Sequence, residues 1–439
     1  MPADGRQTSE RNSRNDDADV VTAGQIFSDG VIELVSSADL CRPNLVFWDG
    51  YRAIVAPRIR RGGVWYRAPQ LCPSIGRIMR LPDHLDQGES VVQLFADVSA
   101  LFQEYLALPR ELAQQVTLWM TSTWLADVVP SPPVLLISGP HMGRAVDLFQ
   151  VVGCGSRRAL SLTGINRAAL VGLPMDLRPS LLINQPDLPQ GMSRLLRACN
   201  HRGVNVPGKS GTVQDWVVSK AIFTGMAPSP GAWDGEALWI SLPSAETHLP
   251  LDQLALARLA QDLQAKFLAF RLDWLYKTRE GGISDGGLSF AESELAQSLF
   301  ACVRHEPGLI EIVTPVLSGL VEDVKVRRDL DPNLVVLEVL WEPAHQLPEL
   351  SVQKITEYLN LKVRIRGGPY EYSAEEVGWI LKGHGFDRRR NGSGKVLRFS
   401  GDNTRLVHRL VRRFGLDLPE VPGCADCAGP NTIVAQESM

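Results

Sequence analysis

The stretch that decides the fold is Val134-Leu-Leu-Ile-Ser-Gly139-Pro-His-Met-Gly143-Arg144-Ala145. It begins with a short apolar run, which is typical of a parallel strand that is buried on both faces. Gly139 follows this run directly, and a helical pattern begins close to Gly143. A strand, a glycine-containing turn and a helix in this order predict an α/β core, in which the chain turns sharply at the carboxyl end of a central strand.

The position of this turn is that of a phosphate-binding P-loop, but its residues differ from those of a P-loop. A P-loop has the pattern G-x-x-x-x-G-K-[ST], in which backbone N–H groups cradle phosphates, Lys neutralises their charge and the hydroxyl holds magnesium. Here three residues separate the two glycines. The forked side chain of Arg144 replaces the lysine, and a methyl group replaces the hydroxyl. The sequence therefore predicts a degenerate nucleotide site at Gly139, Pro140, Gly143, Arg144 and Ala145.

A second strand of the buried type ends in Leu181-Leu-Ile-Asn184-Gln185. An active ATPase has Asp and Glu here, because Asp serves the magnesium ion and Glu orients the attacking water. Asn184 and Gln185 keep the shape of those acids without their negative charge. We therefore predict no catalytic residue, no metal ion and no required cofactor, and we add both amides to the degenerate site. Binding of ATP without hydrolysis and a purely structural remnant remain as alternatives.

Residues of about 88–275 resemble the helicase-like P-loop ATPases carried by phages, plasmids and integrated elements. Three segments stand in the order found in that group: Arg178-Pro-Ser-Leu-Leu-Ile-Asn-Gln185, Asn200-His-Arg-Gly203 and Lys220-Ala-Ile-Phe-Thr-Gly-Met226. They match an acidic strand, an H-R-R-G type turn and a K-A-I-A-G-I-G type strand. The resemblance implies a RecA-like or AAA-type core and, in active relatives, a ring of subunits.

The resemblance also implies roles for single residues. Asn184 and Gln185 occupy the places of the two acids, Thr224 that of a γ-phosphate sensor, and Arg202 that of an arginine that senses a neighbouring subunit. His141 has no partner in the sequence that would make it a base, so we interpret it as a surface residue. Asp187, the acid nearest the second strand, follows a proline and is interpreted as part of a turn.

The pattern of the chain predicts an α/β fold with a P-loop NTPase-like parallel sheet as its core. Within the β-rich segment, Asp49-Gly50 is typical of a hairpin turn. The predicted parts are a disordered tail at 1–25, a β-rich N-terminal domain at 26–85, the ATPase-like core at 86–280, a helical or mixed connection at 281–350, a winged-helix domain at 351–418 and a flexible tail at 419–439.

The C-terminal module is basic, although the whole chain has a formal net charge of −4. Residues 351–416 carry 14 Lys and Arg against 6 Asp and Glu, a pattern typical of a nucleic-acid-binding domain. Ser373-Ala-Glu-Glu376 is a capping box. Two helices, a hairpin and a last helix predict a winged helix, which often places one helix in the DNA major groove. The hairpin has no interleaved aromatic residues, so duplex DNA is favoured. The predicted DNA-binding residues are Lys362, Arg366, Arg388, Arg389, Arg390, Lys395, Arg398, Arg405 and Arg409.

Cysteine usage and hydropathy limit the class of protein. Seven scattered cysteines do not form a disulfide framework. Cys424-Ala-Asp-Cys427 is half a zinc site, and no Cys/His group of suitable spacing flanks it, so the sequence predicts a polar tail without a metal ion. No run of about 18 apolar residues occurs, and the N-terminus lacks a signal pattern, which favours a cytoplasmic protein without a membrane-spanning helix.

The sequence supports three functional hypotheses. The first is a catalytically defective helicase-like ATPase homologue that binds DNA through its winged helix. It would have a structural or regulatory role, as a homo-oligomer or beside an active ATPase paralogue. The second is an active but atypical ATPase or DNA translocase. The third is a protein–protein scaffold whose basic module binds an acidic protein.

Overall fold

The chain divides into two compact units. Of the residues that the structure describes, those within 19–225 and 236–320 form the first unit, and 233 and those within 321–427 form the second. The computed structural model describes residues 19–86, 88–129, 131–207, 213–225, 233, 236–244, 252–280, 293–368, 370–391 and 394–427.

The first unit opens with seven short strands in two sheets. Strands β2, β3, β4 and β5 form one antiparallel sheet in that order, and the other has the order β1-β7-β6. The predicted hairpin turn is confirmed: Gly50 has a φ of 101°, and the Asp49 side chain accepts hydrogen bonds from the backbone N–H groups of Tyr51 and Arg52. The bounds are β1 Val20–Val21, β2 Gly24–Phe27, β3 Gly30–Val35, β4 Asn44–Trp48, β5 Ala53–Ala56, β6 Arg58–Arg61 and β7 Val64–Arg67.

Three helices come next, α1 Pro73–Ile78, α2 Val91–Leu106 and α3 Arg110–Thr123. The Ser90 hydroxyl caps α2 by accepting from Gln93 N–H, and α2 ends where Ala107 adopts a left-handed conformation. Helix α3 is buried along most of its length, and α2 buries one side. Apolar residues at helical spacing over about 91–105 and 109–124 predict two amphipathic helices; both helices form, and α2 is amphipathic whereas α3 is buried on almost every side.

The core of the first unit is a five-stranded parallel sheet with the strand order β14-β8-β13-β10-β9. Strand β8 lies between β13 and β14, so the Gly139 turn leaves the middle of the carboxyl edge. This mixed α/β architecture is consistent with the predicted P-loop-like core. The bounds are β8 Val134–Ser138, α4 Met142–Gly155, β9 Leu160–Leu162, α5 Arg167–Val171, β10 Leu181–Asn184, α6 Gln190–Ala198, β11 Asn205–Pro207, β12 Val213–Asp215, β13 Lys220–Gly225 and β14 Ala237–Ser241, with β11 and β12 forming a separate antiparallel pair.

Long helices come after the sheet. They are α7 Gln253–Glu280, α8 Glu294–Val303 and α9 Pro307–Asp329. Apolar residues at spacings of three or four between Leu256 and Trp274 predict a long helix with one apolar stripe, which is confirmed because Leu256, Leu263 and Phe267 on α7 are all buried. The apolar pattern of the sequence predicts that the last of these, α9, ends near residue 321, but it continues to Asp329. Its last turns are mostly charged, so an apolar pattern does not detect them.

A buried charge cluster joins the N-terminal sheet to the core of the same unit. Glu33 on β3 contacts Arg157 and Arg158, which follow α4, and Arg271 on α7; the Arg157 and Arg271 contacts are 2.6 and 2.8 Å long. Asp127 pairs with Arg271 at 2.6 Å. Burial alone would raise the pKa of Glu33, but the three arginines lower it to about 2. Sequence patterning gave no sign of this cluster, because its members come from four separate segments.

The second unit contains five helices and a small antiparallel sheet of order β15-β17-β16 among its described residues. The two helices, hairpin and last helix expected in this module are present, and the capping box of Ser373 and Glu376 forms. The sequence did not reveal α10, because it is apolar on almost every side and lacks a helical stripe. The bounds are α10 Pro332–Trp341, α11 Pro343–Gln346, β15 Glu349–Ser351, α12 Val352–Ile365, α13 Ala374–Gly383, β16 Arg388–Asn391, β17 Gly394–Arg398 and α14 Gly401–Arg413.

The described parts of the two predicted tails, 19–25 and 419–427, form ordered contacts. Val20 and Val21 pair with β7, so the part of 1–25 that the structure describes is ordered. At the other end, Val421 and Cys427 pack against the core of the second unit, and Trp341 Nε1 donates to Pro419 O at 2.9 Å. The remainder of each predicted tail, 1–18 and 428–439, lies outside the described residues. No described helix is both long and apolar enough to cross a membrane.

Candidate functional site

The loop at the end of β8 has the predicted order of strand, turn and helix. Gly139 N–H donates to Gly225 O at 3.0 Å, so this amide is engaged by β13. The φ of Gly139 is +157°, and a Cβ at this position would lie 3.1 Å from Leu242 Cβ. Glycine is therefore required here by the close approach of the segment after β14, whether or not the loop binds a phosphate.

Arg144, which stands in place of the P-loop lysine, is buried with 6% of its surface exposed. Its Nη2 donates to the backbone oxygen of Leu106, the last residue of α2. Carbonyl groups at the end of a helix lack partners within the helix and favour a positive charge. The guanidinium of Arg144 therefore caps α2, and the loop gains no exposed cation from it.

The other side chains of the loop are equally unsuited to magnesium. Ala145 is fully buried, while Pro140, His141 and Met142 are exposed. His141 occupies the N-cap position of α4 without making a side-chain capping bond. The open N-terminus of α4 is thus the feature of this loop that can attract an anion, through its backbone N–H groups.

The second half of the degenerate site lies at the end of β10. Gln185 Oε1 accepts a hydrogen bond from Ile165 N–H at 2.7 Å, which fastens the loop after β9. The backbone oxygen of Asn184 accepts from Thr163 Oγ1 at 3.0 Å, while its buried Oδ1 has no hydrogen-bond partner among the described residues. Since β13 separates β10 from β8, the two halves are roughly 10 Å apart across the sheet.

Asn184 also borders a small, mostly apolar cleft of about 290 Å³ between α4 and the edge of the sheet. Phe149 of α4 and Leu182 of β10 are among its walls, and Thr163 lies beside Asn184. The cleft is large enough for a small planar group, but the structure places no charged side chain in its lining among the described residues.

Thr224 and Arg202, whose roles come from the resemblance, contact backbone atoms of their own chain. Thr224 Oγ1 donates to Ile137 O at 3.3 Å. Arg202 donates from Nε and Nη2 to Val129 O, at 3.2 and 2.6 Å. Both side chains therefore have structural partners within the first unit.

The remaining motif residues meet at the opposite, amino-terminal edge of the sheet. Lys220, the first residue of β13, is fully buried and donates to Asn200 Oδ1 at 3.3 Å and to Val218 O at 2.9 Å. Asn200 in turn donates to Ser131 Oγ at 2.9 Å. Burial lowers the pKa of Lys220 to about 8. These residues stabilise the sheet far from the Gly139 turn.

The nine predicted DNA-binding residues fall into two groups. In the first group, each positively charged side chain already contacts an acidic side chain or a backbone oxygen of the same unit. Lys362 and Arg366 both pair with Glu338, at 3.0 and 2.6 Å, and although burial opposes it, these bonds lower the pKa of Glu338. Arg398 faces Glu349 on the neighbouring strand at 3.3 Å.

Two further members of this group lie on β16. Arg388 Nη1 donates to Gly378 O and fastens the hairpin to α13. Arg389 is 3.8 Å from Asp387, and both side chains are largely exposed. Arg388 is thus a structural contact of the hairpin, and Arg389 is only weakly paired.

The second group, the exposed basic set, consists of Arg390, Lys395, Arg405 and Arg409. Arg390 and Lys395 face each other across the end of the β16–β17 hairpin. Arg405 and Arg409 are one helical turn apart on α14. All four are exposed, and none forms an ion pair with a described residue. They are the residues of the predicted interface with positive charge available to a partner.

Helix α13 carries an exposed face that the sequence analysis did not single out. Trp379 is 62% exposed, and Lys382 Nζ lies 5.2 Å from the centroid of its indole ring. An exposed tryptophan on the polar face of a capped helix is unusual for a residue that only stabilises a core. The signal available in the sequence was the position of Trp379 on this capped helix, off the spacing of the apolar residues Val377 and Leu381.

Together, the five-stranded parallel sheet and the glycine turn at its centre form a mixed α/β core that is consistent with the predicted P-loop-like fold. No protein-family model matches the chain, and no curated protein matches it.

Among solved structures, the chain is similar to the A form apo structure of the NrS-1 C-terminal region, with 10% identity over 83% of this chain and 95% of that chain and a TM-score of 0.31. It is also similar to Drosophila ORC bound to DNA, with 12% identity, 74% and 93% coverage and a TM-score of 0.20. A third similarity is to Cdc6p from Pyrobaculum aerophilum, with 15% identity, 69% and 94% coverage and a TM-score of 0.19. TM-scores this low do not support a functional assignment.

Proposed function

We propose that the chain is a catalytically defective homologue of helicase-like P-loop ATPases that binds duplex DNA through a winged helix within residues 351–418. The observation that carries the catalytic part is the position of Arg144, whose guanidinium caps α2 instead of serving the loop. The protein itself has a structural or regulatory role, which it performs as a homo-oligomer or beside an active ATPase paralogue.

The loss of hydrolysis follows from four substitutions taken together. Arg144 withholds the cation from the β- and γ-phosphates, and Ala145 offers no hydroxyl to magnesium. Asn184 and Gln185 lack the negative charge that binds the metal ion and the basicity that orients water. Each of these groups contributes orders of magnitude to phosphoryl transfer. The order of strand, turn and helix is retained because it also packs the sheet.

The winged-helix assignment is supported by the order and pairing of the elements. Helices α10, α12 and α13 precede the β16–β17 hairpin, and β15 lies against β17 in the same small sheet. Helix α13 takes the position of a recognition helix and exposes Trp379 and Lys382. The hairpin takes the position of the wing and exposes Arg390 and Lys395.

DNA binding is tested by titrating a fluorescent duplex of mixed sequence with full-length protein at several salt concentrations. Phosphate contacts predict that log affinity falls linearly with log salt. Arg390→Ala with Lys395→Ala, and separately Arg405→Ala with Arg409→Ala, should weaken binding and reduce the salt slope by about 1 to 2 for each pair.

The matched control is Lys354→Ala with Arg364→Ala, which removes two charges from α12. Lys354 is paired with Glu357 and Arg364 with Glu371, so this variant should bind almost as the wild type does. If both basic pairs can be removed without changing affinity or salt slope, the winged-helix proposal is wrong. Trp379→Phe, which keeps an aromatic ring, should remove the change in tryptophan fluorescence on binding.

A second candidate function is nucleotide binding without turnover, which the cleft beside Asn184 and the open N-terminus of α4 favour. Isothermal titration of the full-length chain with ATP, with and without magnesium, tests it. Binding that does not depend on magnesium would support this candidate, because the metal ligands are missing. The absence of heat at millimolar ATP would exclude it.

A further inference from the structure

Four metal-ligating side chains converge in the second unit. They are His345 of α11, His408 of α14, and Cys424 and Cys427 of the segment that follows α14. One potential ligand atom from each residue lies within 4.8 Å of all the others. His345 is partly buried, His408 is 3% exposed, and both thiols are partly buried and free.

The backbone partners of the two imidazoles fix where their lone pairs point. His345 Nδ1 lies 2.6 Å from Trp341 O, and His408 Nδ1 lies 2.9 Å from Thr404 O. A carbonyl oxygen only accepts hydrogen bonds, so each Nδ1 carries a proton, and in the neutral imidazole that metals bind each Nε2 presents a lone pair. This is the arrangement that backbone carbonyls impose on metal-binding histidines.

The two Nε2 atoms are 3.0 Å apart. When both imidazoles are neutral, both Nε2 atoms are acceptors, cannot form a hydrogen bond with each other and point their lone pairs at the same space. The thiols add further electron-rich atoms: Cys427 Sγ is 3.3 Å from each Nε2, and Cys424 Sγ is 3.4 Å from His408 Nε2. A cation at the centre replaces the contact between the two nitrogens and the thiol–imidazole hydrogen bonds by coordination bonds, and the two thiols release their protons.

The distances fit a tetrahedral ion of the size of zinc. Zinc–nitrogen bonds of about 2.0–2.1 Å and zinc–sulfur bonds of about 2.3 Å give tetrahedral edges of roughly 3.3–3.8 Å. Four of the nitrogen–nitrogen and nitrogen–sulfur separations are 3.0 to 3.4 Å, and the separations in the whole set lie within 4.8 Å. Tetrahedral coordination therefore needs small rotations of the two imidazoles and a small shift of the cysteine turn.

We propose that His345, His408, Cys424 and Cys427 form a structural Zn²⁺ site. Two imidazoles and two thiolates are a ligand set that zinc prefers, and four protein ligands leave no open position for water or substrate. The site therefore holds the fold together and performs no reaction. This inference is independent of the proposed DNA binding and of the fate of the nucleotide site.

Packing brings the ligands together around Trp341. Its ring centroid is 5.0 Å from that of His345 and 4.9 Å from that of His408, and its Nε1 holds the backbone of Pro419. Cys427 N–H donates to Cys424 O at 3.2 Å, which closes the tight turn of the C-x-x-C pair. The sequence analysis predicted no metal because the two histidines are distant in the chain from this pair.

The consequence of zinc binding concerns the module between the ligands. His345 precedes β15, and Cys427 is the last described residue, so the ion closes a loop that contains the hairpin and helices α12 to α14. Because the ligands assemble only in the folded chain, the binding free energy of zinc adds to the stability of this module.

The first test is the zinc content of full-length protein, purified under reducing conditions, incubated with zinc and freed of excess metal, measured by plasma mass spectrometry. The wild type should hold about one equivalent of zinc. Cys424→Ser with Cys427→Ser should hold almost none, while the control Cys41→Ser with Cys72→Ser should retain it. A wild type without stoichiometric zinc, or one in which Cys424 and Cys427 form a disulfide under these conditions, would overturn the proposal.

A second test uses Co²⁺ and needs only the wild-type chain, so it does not depend on the folding of a variant. Tetrahedral cobalt with thiolate ligands should give intense visible bands and a sulfur-to-metal charge-transfer band in the near ultraviolet, both lost on addition of one equivalent of zinc. A weak octahedral spectrum without charge transfer would contradict the site. A chelator should also lower the melting temperature of the wild type.

Discussion

At the scale of single residues, Arg144 has a structural role at the position where a P-loop carries its lysine. Lysine at this place would reach towards a phosphate, whereas the longer, forked side chain of arginine reaches back to Leu106 O at the end of α2. The guanidinium thus satisfies a helix terminus and is withdrawn from the surface of the loop.

Truncation of Arg144 should therefore reduce stability. Arg144→Ala leaves the buried oxygen of Leu106 without its donor, and we expect a loss of about 1–3 kcal/mol in the free energy of unfolding. Urea unfolding measures it, with the exposed Arg110→Ala as the control that should change little. An Arg144→Ala variant with wild-type stability but weaker ATP binding would mean that the side chain serves a nucleotide instead.

Lys220 provides a prediction about pH. Its pKa is about 8 in the folded chain against an ordinary value of 10.5, because burial disfavours the ammonium. Between these values the unfolded chain binds more protons, so this group makes stability rise as the pH increases from about 8 to 10.5. The rise should be roughly 3 kcal/mol.

Urea unfolding at pH 7 and pH 10 tests this prediction. The quantity compared is the difference in free energy of unfolding between wild type and Lys220→Met. The variant lacks the titrating group, so its stability relative to wild type should fall as the pH increases. The exposed Lys354→Met is the control and should show no such trend. A pH-independent difference between wild type and Lys220→Met would show that the ammonium is not destabilised by burial.

At the scale of elements, local patterns predicted those helices and strands whose surroundings are uniform. Strands β8 and β10 are almost entirely buried and are therefore apolar runs, whereas β13 begins with the buried Lys220, and α7 buries its apolar stripe. Helix α10 was not predicted because it is buried on almost every side and therefore shows no apolar stripe. Contacts between elements could not be predicted, since Glu33 and its arginines meet only after the chain has folded.

The Glu33 cluster should be essential to the way β3 packs on α4 and α7. Glu33→Gln leaves three buried guanidinium groups with a single nearby carboxylate, that of Asp127, and should cost about 3–5 kcal/mol at neutral pH. The folded pKa of Glu33 is lowered to about 2, so its contribution is present above about 4.5 and is lost as the pH falls towards 2.

Urea unfolding of wild type and Glu33→Gln at several pH values measures this effect. The difference between the two proteins should shrink as the pH falls from about 4.5 towards 2. The exposed Glu111→Gln is the matched control. A difference below about 1 kcal/mol at neutral pH would place the cluster in a solvated environment, where ion pairs contribute little.

At the scale of the whole molecule, the sequence was informative about architecture and less so about sites. Strand, glycine turn and helix are neighbours in the chain, so this unit of the core could be predicted from the sequence, and the degenerate nucleotide site at its turn remains a prediction. The positive charge of the C-terminal module could also be predicted from the sequence. The pairing of Glu338 with Lys362 and Arg366 could not. The convergence of two histidines on a C-x-x-C turn depends on tertiary packing and could not be predicted.

The central claim is that the core keeps the fold of an ATPase without its activity. The most direct test is magnesium-dependent phosphate release from ATP by the purified full-length chain, with and without duplex DNA. We predict no turnover above background for the wild type, and no change with Asn184→Ala or with the exposed control Asp187→Ala. Turnover above background that Asn184→Ala abolishes and Asp187→Ala leaves intact would contradict the account.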